Sequence, residues 1–258
     1  MGAPKNRSEN RKARRDRNHS NHTPLLSLVE SEQRVRRPVK AAVREVKPLN
    51  DAQALYDAHI RASIITFGVG PAGTGKTWLA ATRAAQALKA GEIERIIVTR
   101  PALEAGESLG FLPGEMDDKY QPYFRPVCDA LAETLGSGPL EYHLKSGTIE
   151  ARPLAYLRGA TFKNCLVLFD EAQNATVSQM KLFLTRIGDH SRVVINGDPD
   201  QIDLPRASDS GLMDAVRRLG SVKGVGVVTF GRDDIVRSGI CREIVEAYAA
   251  PLSERYIH

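Results

Sequence analysis

Short apolar runs alternate with longer amphipathic segments from about residue 46 onward. Runs of this length, bounded by polar or turn-forming residues, predict buried strands, and the segments between them predict helices. The predicted strands are Ser63–Phe67, Ile96–Thr99, Leu166–Phe169, Arg192–Asn196 and Val225–Phe230. The predicted helices are Thr77–Ala90, Lys119–Leu135, Val177–Ile187, Gly211–Leu219 and Asp233–Ala249. The alternation indicates βαβ units and an α/β fold with a mostly parallel, five-stranded sheet.

The first 44 residues differ from the rest in composition and form a basic leader. They are rich in Arg, Lys, Asn, Ser and His, so we expect them to be disordered and residues 45–258 to form the folded domain. Residues 1–40 hold eleven Lys/Arg and four Asp/Glu, a net charge of +7. The whole chain has 36 Lys/Arg and 31 Asp/Glu, so residues 41–258 hold 25 Lys/Arg and 27 Asp/Glu, a net charge of −2. The leader could attract nucleic-acid phosphates, or it could be a solubilising tail without a partner.

Composition also excludes several classes of protein. No stretch approaches the ~20 apolar residues that span a bilayer, and the N-terminus has no apolar core like that of a secretory signal. The three cysteines, Cys128, Cys165 and Cys241, lie far apart and form no C-x-x-C pair. This pattern argues against a disulfide framework or a zinc site, and it is typical of small buried side chains in a reducing cytoplasm.

A glycine-rich segment follows the first predicted strand and matches the phosphate-binding pattern G-x-x-x-x-G-K-[ST]. Its residues are Gly70, Pro71, Ala72, Gly73, Thr74, Gly75, Lys76 and Thr77. Glycines allow backbone N–H groups to turn inward around an anion, and the helix that begins here adds its positive end. Lys76 is expected to contact the β and γ phosphates of ATP, and Thr77 to offer its hydroxyl to Mg²⁺.

Two carboxylates, Asp170 and Glu171, follow the apolar run Leu166–Phe169. The carboxyl ends of parallel strands share one edge of a sheet, so we expect both acids near the phosphate-binding loop. Asp170 is predicted to hold magnesium indirectly, through water, and Glu171 is placed to polarise an attacking water. The alternative is a plain helix N-cap. The second acid favours a hydrolase over a small-molecule kinase.

Other polar residues are weaker candidates. Gln201, just past the strand Arg192–Asn196, could sense the γ-phosphate, or it could belong to an ordinary surface turn. Arginines that could supply charge to a transition state are Arg100, Arg186 and Arg237, although a surface or salt-bridge role is the alternative for each. The long segment Glu104–Pro126, with Glu107 and Arg125 as polar contacts, is predicted to serve a subunit interface or a substrate channel.

Several segments together resemble the PhoH-like ATPases over about residues 47–248. They are GPAGTGKT, TRPALEAGESLGFLPGEMDDKYQPYFRPVCDAL, LVLFDEAQNAT, VVINGDPDQIDLP and FGRDDIVRSGICREIVEAY. The resemblance implies a RecA-like core similar to one half of a superfamily 1 helicase, with ATP and Mg²⁺ bound and ATP hydrolysed. It implies catalytic roles for Lys76, Glu171, Gln201 and Arg237. It also implies an adenine-reading role for Gln53, although a glutamine that opens a helix is usually solvated.

Two departures from the family pattern limit what can be transferred. Some relatives carry a fused nuclease domain, for which this chain has neither the length nor a second acidic cluster. Relatives often read TGDP-T-Q where this chain has Asn196-Gly197-Asp198-Pro199-Asp200-Gln201. The change places an acid beside the expected sensor and could weaken nucleotide turnover, although we expect it to be tolerated.

These observations predict an ATPase that works on RNA or single-stranded nucleic acid. One RecA-like half cannot form the cleft of a monomeric helicase, so neighbouring subunits are expected to supply the second wall, for example in a hexameric ring. The alternative is a nucleotide-gated protein-interaction module with slow hydrolysis. A small-molecule kinase is disfavoured by the DEAQ sequence and by the lack of an arginine-rich lid.

Overall fold

Helices and strands alternate along the chain, as the hydrophobic pattern predicts. The computed structural model describes residues 46–101, 116–157 and 159–236, with only the backbone described for residues 116–123. The strands are β1 (Ile65–Val69), β2 (Arg95–Thr99), β3 (Ile149–Ala151), β4 (Cys165–Phe169), β5 (Arg192–Gly197) and β6 (Val225–Thr229). The α-helices are α1 (Asp51–Ala62), α2 (Lys76–Lys89), α3 (Met116–Leu135), α4 (Ser137–Lys145), α5 (Val177–Leu184) and α6 (Gly211–Leu219). Short 3₁₀ helices occupy Leu154–Leu157, Ala172–Asn174, Ala207–Asp209 and Arg232–Asp234.

The strands form one sheet in the order β3-β2-β4-β5-β1-β6, and every neighbouring pair is parallel. The strands β4, β5 and β1 are therefore adjacent. The candidate chemistry lies in residues 170–171 after β4, residues 198–201 after β5 and residues 70–77 after β1. All of them consequently meet at the carboxyl edge of the sheet, where ligands bind in open α/β sheets.

Each face of the sheet carries its own hydrophobic core. Alternate residues of the strands point to opposite faces, so Leu166 and Leu168 of β4 enter one core while Val167 and Phe169 enter the other. The first core is completed by α1, α2, α3 and α4, and the second by α5 and α6. This three-layer arrangement buries both faces of a parallel sheet, and it confirms the predicted α/β class.

Three elements were missing from the prediction, and α5 is shorter than predicted. The edge strand β3 has three residues and pairs only with β2, which is too short a run for a hydrophobic pattern. Helix α4 contains Gly138 and Pro139, which the sequence pattern does not favour in a helix. A proline is tolerated in the first turn because a backbone N–H would have no helical partner there. Helix α5 ends at Leu184 because Ile187 forms a parallel bridge with Phe162 instead.

Helix α1, the third unpredicted element, covers the sheet beside the phosphate-binding loop. The side chain of Asn50 caps its N-terminus by accepting a hydrogen bond from the Gln53 N–H at 2.8 Å. The carboxylate of Asp57 is buried and pairs with Arg83 of α2 through two hydrogen bonds. A planar guanidinium suits such a two-point contact, so this pair holds α1 against the helix that begins at Lys76.

Some predictions fall outside the described residues. These are the leader, the segment 102–115 with Glu104 and Glu107, and the predicted helix Asp233–Ala249 beyond residue 236. The division at residue 44 therefore stays a prediction. Cys128 and Cys165 are buried free thiols, as expected, whereas Cys241 is not described. Within the described ranges, no helix combines the length and the apolar content that crossing a bilayer requires.

Candidate nucleotide site

The glycine-rich loop joins β1 to α2 in a conformation that its glycines permit. Gly70 has a φ of 139° and Gly75 a φ of 83°, both in the region that L side chains rarely adopt. A Cβ on Gly70 would lie 2.3 Å from the carbonyl oxygen of Phe230, so this position also needs glycine for space. The backbone of the loop is thus wound tightly around the start of α2.

Lys76 is the central cation of the loop. Its Nζ donates hydrogen bonds to the carbonyl oxygens of Gly70 and Pro71, both at 2.7 Å, and to Thr74 Oγ1 at 3.1 Å. The residue is only 8% exposed, and Nζ lies 5.7 Å from the centroid of the Phe230 ring. The ammonium group is therefore held inside the loop, where phosphate oxygens can replace the carbonyl contacts.

Burial and three carboxylates act on Lys76 in opposite directions. Burial lowers the pKa of Lys76, because a desolvated ammonium group prefers its neutral form. The negative charges of Asp198, Asp170 and Glu171 raise that pKa again. Burial is the larger effect, so the carboxylates only partly offset it. A bound polyphosphate would add further negative charge and favour the protonated lysine.

Thr77 and Asp170 meet directly. Thr77 Oγ1 donates toward both oxygens of Asp170, at 3.0 Å from Oδ1 and 3.1 Å from Oδ2. The backbone N–H of Asp170 donates to Thr99 O at 3.0 Å, which fixes the acid just past the end of β4. A hydroxyl and a carboxylate are hard oxygen ligands of the kind that Mg²⁺ binds.

The electrostatics of Asp170 also suit a cation. Burial raises the pKa of Asp170, and the neighbouring charge of Glu171 raises it further, while Arg100 and the Thr77 hydrogen bond lower it. A nearby cation would stabilise the charged carboxylate. Among the described residues, no group of three or more His, Cys, Asp or Glu side chains could hold a metal. The hydroxyl of Thr77 and the carboxylate of Asp170 are oxygen donors that fit a magnesium ion.

Asp170→Asn is expected to stabilise the protein in the absence of nucleotide and divalent cations. A raised pKa means that the folded state disfavours the ionised carboxylate, so the charge destabilises the fold at pH 7. Asparagine removes that charge and can still accept the Thr77 hydrogen bond. We expect a melting temperature a few degrees higher at pH 7, with the gain shrinking as the pH falls toward the raised pKa. A variant that melts below the native protein at pH 7 would contradict this account.

Glu171 has an unusual backbone and two side-chain partners. Its φ is 53°, a left-handed conformation that is uncommon for residues other than glycine and often occurs at functional sites. One carboxylate oxygen, Oε1, lies 3.2 Å from the guanidinium of Arg100, and the other, Oε2, accepts a hydrogen bond from Gln173 Nε2 at 2.7 Å. Glu171 occupies the N-cap position of a 3₁₀ helix, but its side chain makes no cap hydrogen bond.

Gln201 reaches the phosphate-binding loop through Asp198. Its Nε2 donates to Asp198 Oδ2 at 2.7 Å, and the same oxygen accepts the backbone N–H of Ala72 at 3.2 Å. The strand before it, β5, lies directly beside β1. Asp200, the acid expected next to the sensor, is exposed, and its N–H donates to Asp198 Oδ1. The carboxylate of Asp198 thus organises this turn.

Gln173 is a connecting residue that the sequence analysis missed. It is 1% exposed, and its Nε2 donates both to Glu171 Oε2 and to the carbonyl oxygen of Gln201 at 3.0 Å. Its Oε1 accepts the N–H of Asp198 at 3.1 Å. One amide therefore links the acid after β4 to the turn after β5. Its place two residues after Glu171 was the available signal.

Gln53 is buried against the phosphate-binding loop. Its Nε2 donates to the carbonyl oxygen of Thr74 at 2.9 Å, and its Oε1 accepts the N–H of Leu49 at the same distance. The residue is 6% exposed, so the solvated alternative is wrong. A Cβ on Gly75 would lie 2.9 Å from Nε2, which makes that glycine necessary for this contact as well.

The candidate arginines fall in different places. The guanidinium of Arg100 contacts Glu171. The backbone carbonyl of Arg186 accepts a hydrogen bond from the N–H of Phe162, and Phe162 precedes β4 at the amino edge of the sheet. Arg186 thus lies at the edge opposite the phosphate-binding loop of its own chain. Val236 donates its N–H to Gly73 O at 2.9 Å, and Arg237, the next residue, lies outside the described residues. Arg125 is exposed on α3.

The parallel sheet and the loop that encloses Lys76 define a nucleotide-binding P-loop protein. The PhoH-like protein family matches residues 45–249, and the chain belongs to this family. Protein PhoH of Escherichia coli (strain K12) is 48% identical over 211 residues, which cover 80% of this chain and 60% of the relative. The PhoH-like protein of Bacillus subtilis (strain 168) is 46% identical over 217 residues, covering 84% of this chain and 67% of that protein.

Two solved structures show a more distant likeness. The large terminase of a thermophilic bacteriophage has a TM-score of 0.46 and 13% identity, covering 80% of this chain and 52% of the terminase. The Sulfolobus solfataricus SWI2/SNF2 ATPase core in complex with dsDNA has a TM-score of 0.39 and 16% identity, covering 69% of this chain and 38% of the ATPase core. The chain spans about 60% of the length of the Escherichia coli relative.

Proposed function

We propose that this protein is a magnesium-dependent ATPase whose turnover is coupled to RNA or single-stranded nucleic acid. The observation that carries the ATPase part is the direct contact between Thr77 and Asp170 beside the buried Lys76. A loop that binds phosphates needs only the lysine and its backbone N–H groups. The additional hydroxyl and carboxylate pair, with Glu171 next in the chain, supports hydrolysis as well as binding.

The residues of the site divide the work of phosphoryl transfer. Lys76 exchanges its hydrogen bonds to the loop carbonyls for phosphate oxygens, and the N–H groups at the start of α2 bind the same anion. Thr77 and Asp170 would hold Mg²⁺, which neutralises charge on the phosphates when it is bound. Glu171 orients the attacking water, Gln201 senses the γ-phosphate, and Arg237 supplies charge to the transition state. Gln53, fixed at Thr74, is the proposed contact to adenine.

Coupling to nucleic acid is supported by the charge of the leader. The leader is strongly basic, and a basic segment attracts phosphodiester backbones. The proposal also includes a closed ring of subunits, such as a hexamer, in which a neighbouring subunit supplies the second wall of the cleft. A cytoplasmic location is also part of the proposal, because buried free thiols such as Cys165 suit a reducing compartment.

Steady-state ATP hydrolysis, measured with and without single-stranded RNA, tests this function. We expect RNA to accelerate turnover and the acceleration to weaken steeply with salt, because Lys and Arg contacts to phosphates release counterions. Lys76→Ala serves as the blank, and solution mass with ATP tests the ring. Turnover that equals the blank would contradict the ATPase, and a strict monomer at micromolar concentration would contradict the ring.

The second candidate is a nucleotide-gated protein-interaction module. It is favoured by charge, because residues 41–258 carry 25 Lys/Arg against 27 Asp/Glu and so present no net basic surface. The same assay separates the two candidates. Turnover that is present but indifferent to RNA and to single-stranded DNA would support the interaction module, and a protein partner would then be the expected regulator.

A further inference from the structure

Both carboxylate oxygens of Glu171 are engaged by other side chains. The guanidinium of Arg100 lies 3.2 Å from Oε1, and the amide of Gln173 donates to Oε2 at 2.7 Å. The Arg100 side chain is 27% exposed and that of Glu171 is 35% exposed, so the ion pair is partly shielded from water. An acid that must orient a water molecule is here oriented by two protein groups instead.

The position of Arg100 is set by the fold. It directly follows β2, its carbonyl oxygen accepts the Leu154 N–H at 3.4 Å, and the next residue, Pro101, is buried. The preceding carbonyl, that of Thr99, accepts the N–H of Asp170 at 3.0 Å. The backbone that carries the guanidinium is therefore tied to the backbone that carries the two acids, and the ion pair bridges neighbouring strands.

We infer that Arg100 is a positioning residue that restrains Glu171 and slows ATP hydrolysis at rest. The inference rests on the proposed function, in which Glu171 orients the attacking water. A carboxylate drawn toward a fixed cation must leave that cation, or share its lone pairs, before it can accept a hydrogen bond from water. The backbone of Glu171 is in an uncommon left-handed conformation, and backbone conformation influences which side-chain rotamers are allowed.

The opposite role for Arg100 makes a different prediction. If its guanidinium contacted the transferring phosphoryl group, it would stabilise the transition state, and its loss would lower turnover by about 10³-fold or more. A restraint on Glu171 instead predicts faster turnover when the arginine is removed. The sign of the change in kcat therefore decides between the two roles, even without knowledge of the nucleic acid or the partner.

Arg100→Gln is the decisive variant, and Arg95→Gln is its matched control. Arg95 begins the same strand, at the other edge of the sheet, and pairs with Glu150 at 3.6 Å. We expect Arg100→Gln to raise kcat without RNA by about two- to fivefold, the range for loss of one part-exposed ion pair, with KM nearly unchanged. Arg100→Lys keeps the positive charge, so its kcat should stay close to the native value. The kcat of Arg95→Gln should equal that of the native protein.

A double variant shows whether the effect passes through Glu171. In a Glu171→Gln background, Arg100→Gln should add no turnover, because there is no carboxylate to release. A fall in kcat for Arg100→Gln, or a rise that persists in the double variant, would overturn the inference. Failure of the proposed function has a different signature, since the native protein itself would then not exceed the Lys76→Ala blank.

Discussion

Lys76→Ala is expected to lower ATP turnover by at least about 10²- to 10³-fold and to weaken nucleotide binding as well. The reason is that Lys76 is the only Lys or Arg side chain among residues 70–77 of the phosphate-binding loop, and it is buried. Loss of one charged hydrogen-bond donor at developing negative charge commonly costs this much in rate. The lysine contacts phosphate in the ground state and in the transition state, so both binding and turnover should suffer.

The binding half of this prediction can be measured with an intrinsic probe. Trp78, the only tryptophan of the sequence, follows Thr77 directly and is 37% exposed. Its fluorescence should change when native protein binds ATP and should change little in Lys76→Ala. Lys89→Ala, at the exposed last turn of the same helix, is the control and should behave like the native protein. Native-like turnover in Lys76→Ala would show that the nucleotide is hydrolysed elsewhere.

Truncation at Lys76 also removes donors from loop carbonyls, so stability needs a separate check. The oxygens of Gly70 and Pro71 each lose a hydrogen bond from Nζ. The Pro71 carbonyl is only partly buried, and truncation of Lys76 to alanine leaves space in which water can replace the lost donor. We therefore expect the melting temperature to stay close to the native value. A large fall in melting temperature would mean that any loss of turnover reflects unfolding of the loop.

The part of the site that the sequence predicted well follows from motif geometry. A glycine-rich pattern between a strand and a helix defines the position of Lys76, and an apolar run that ends in two acids defines Asp170 and Glu171. Both depend on local order in the chain and on the rule that parallel strands end at one edge. The contact between Thr77 and Asp170, 93 residues apart, is the result.

The part that sequence analysis missed depends on long-range side-chain contacts. Gln173 and Asp198 connect the segments after β4 and β5, yet neither residue belongs to a periodic pattern. The pairing of Arg100 with Glu171 likewise arises because β2 and β4 are neighbours, and strand order is not encoded locally. Helix α1 was missed for a different reason. Its buried face includes the polar residues Gln53 and Asp57, so its hydrophobic pattern is weak.

Glu171→Gln is expected to lower ATP turnover by about 10²- to 10⁴-fold while leaving ATP binding nearly intact. A positioned group that accepts a proton or orients water contributes to rate by this amount. Glutamine has the same shape and keeps an oxygen that can accept the hydrogen bond from Gln173, but it cannot bind water as strongly as a carboxylate. The defect should therefore lie in the chemical step.

The comparison with Lys76→Ala gives this prediction its specificity. Titration of Trp78 fluorescence should give a dissociation constant for ATP close to the native value in Glu171→Gln, whereas Lys76→Ala should bind weakly. Glu94→Gln is the matched control, because Glu94 is an exposed acid that bonds only to Asn164 among the contacts described. Turnover in Glu171→Gln within tenfold of native would assign the attacking water to another residue. It would also remove the basis for a restraint by Arg100, because that restraint acts on the carboxylate of Glu171.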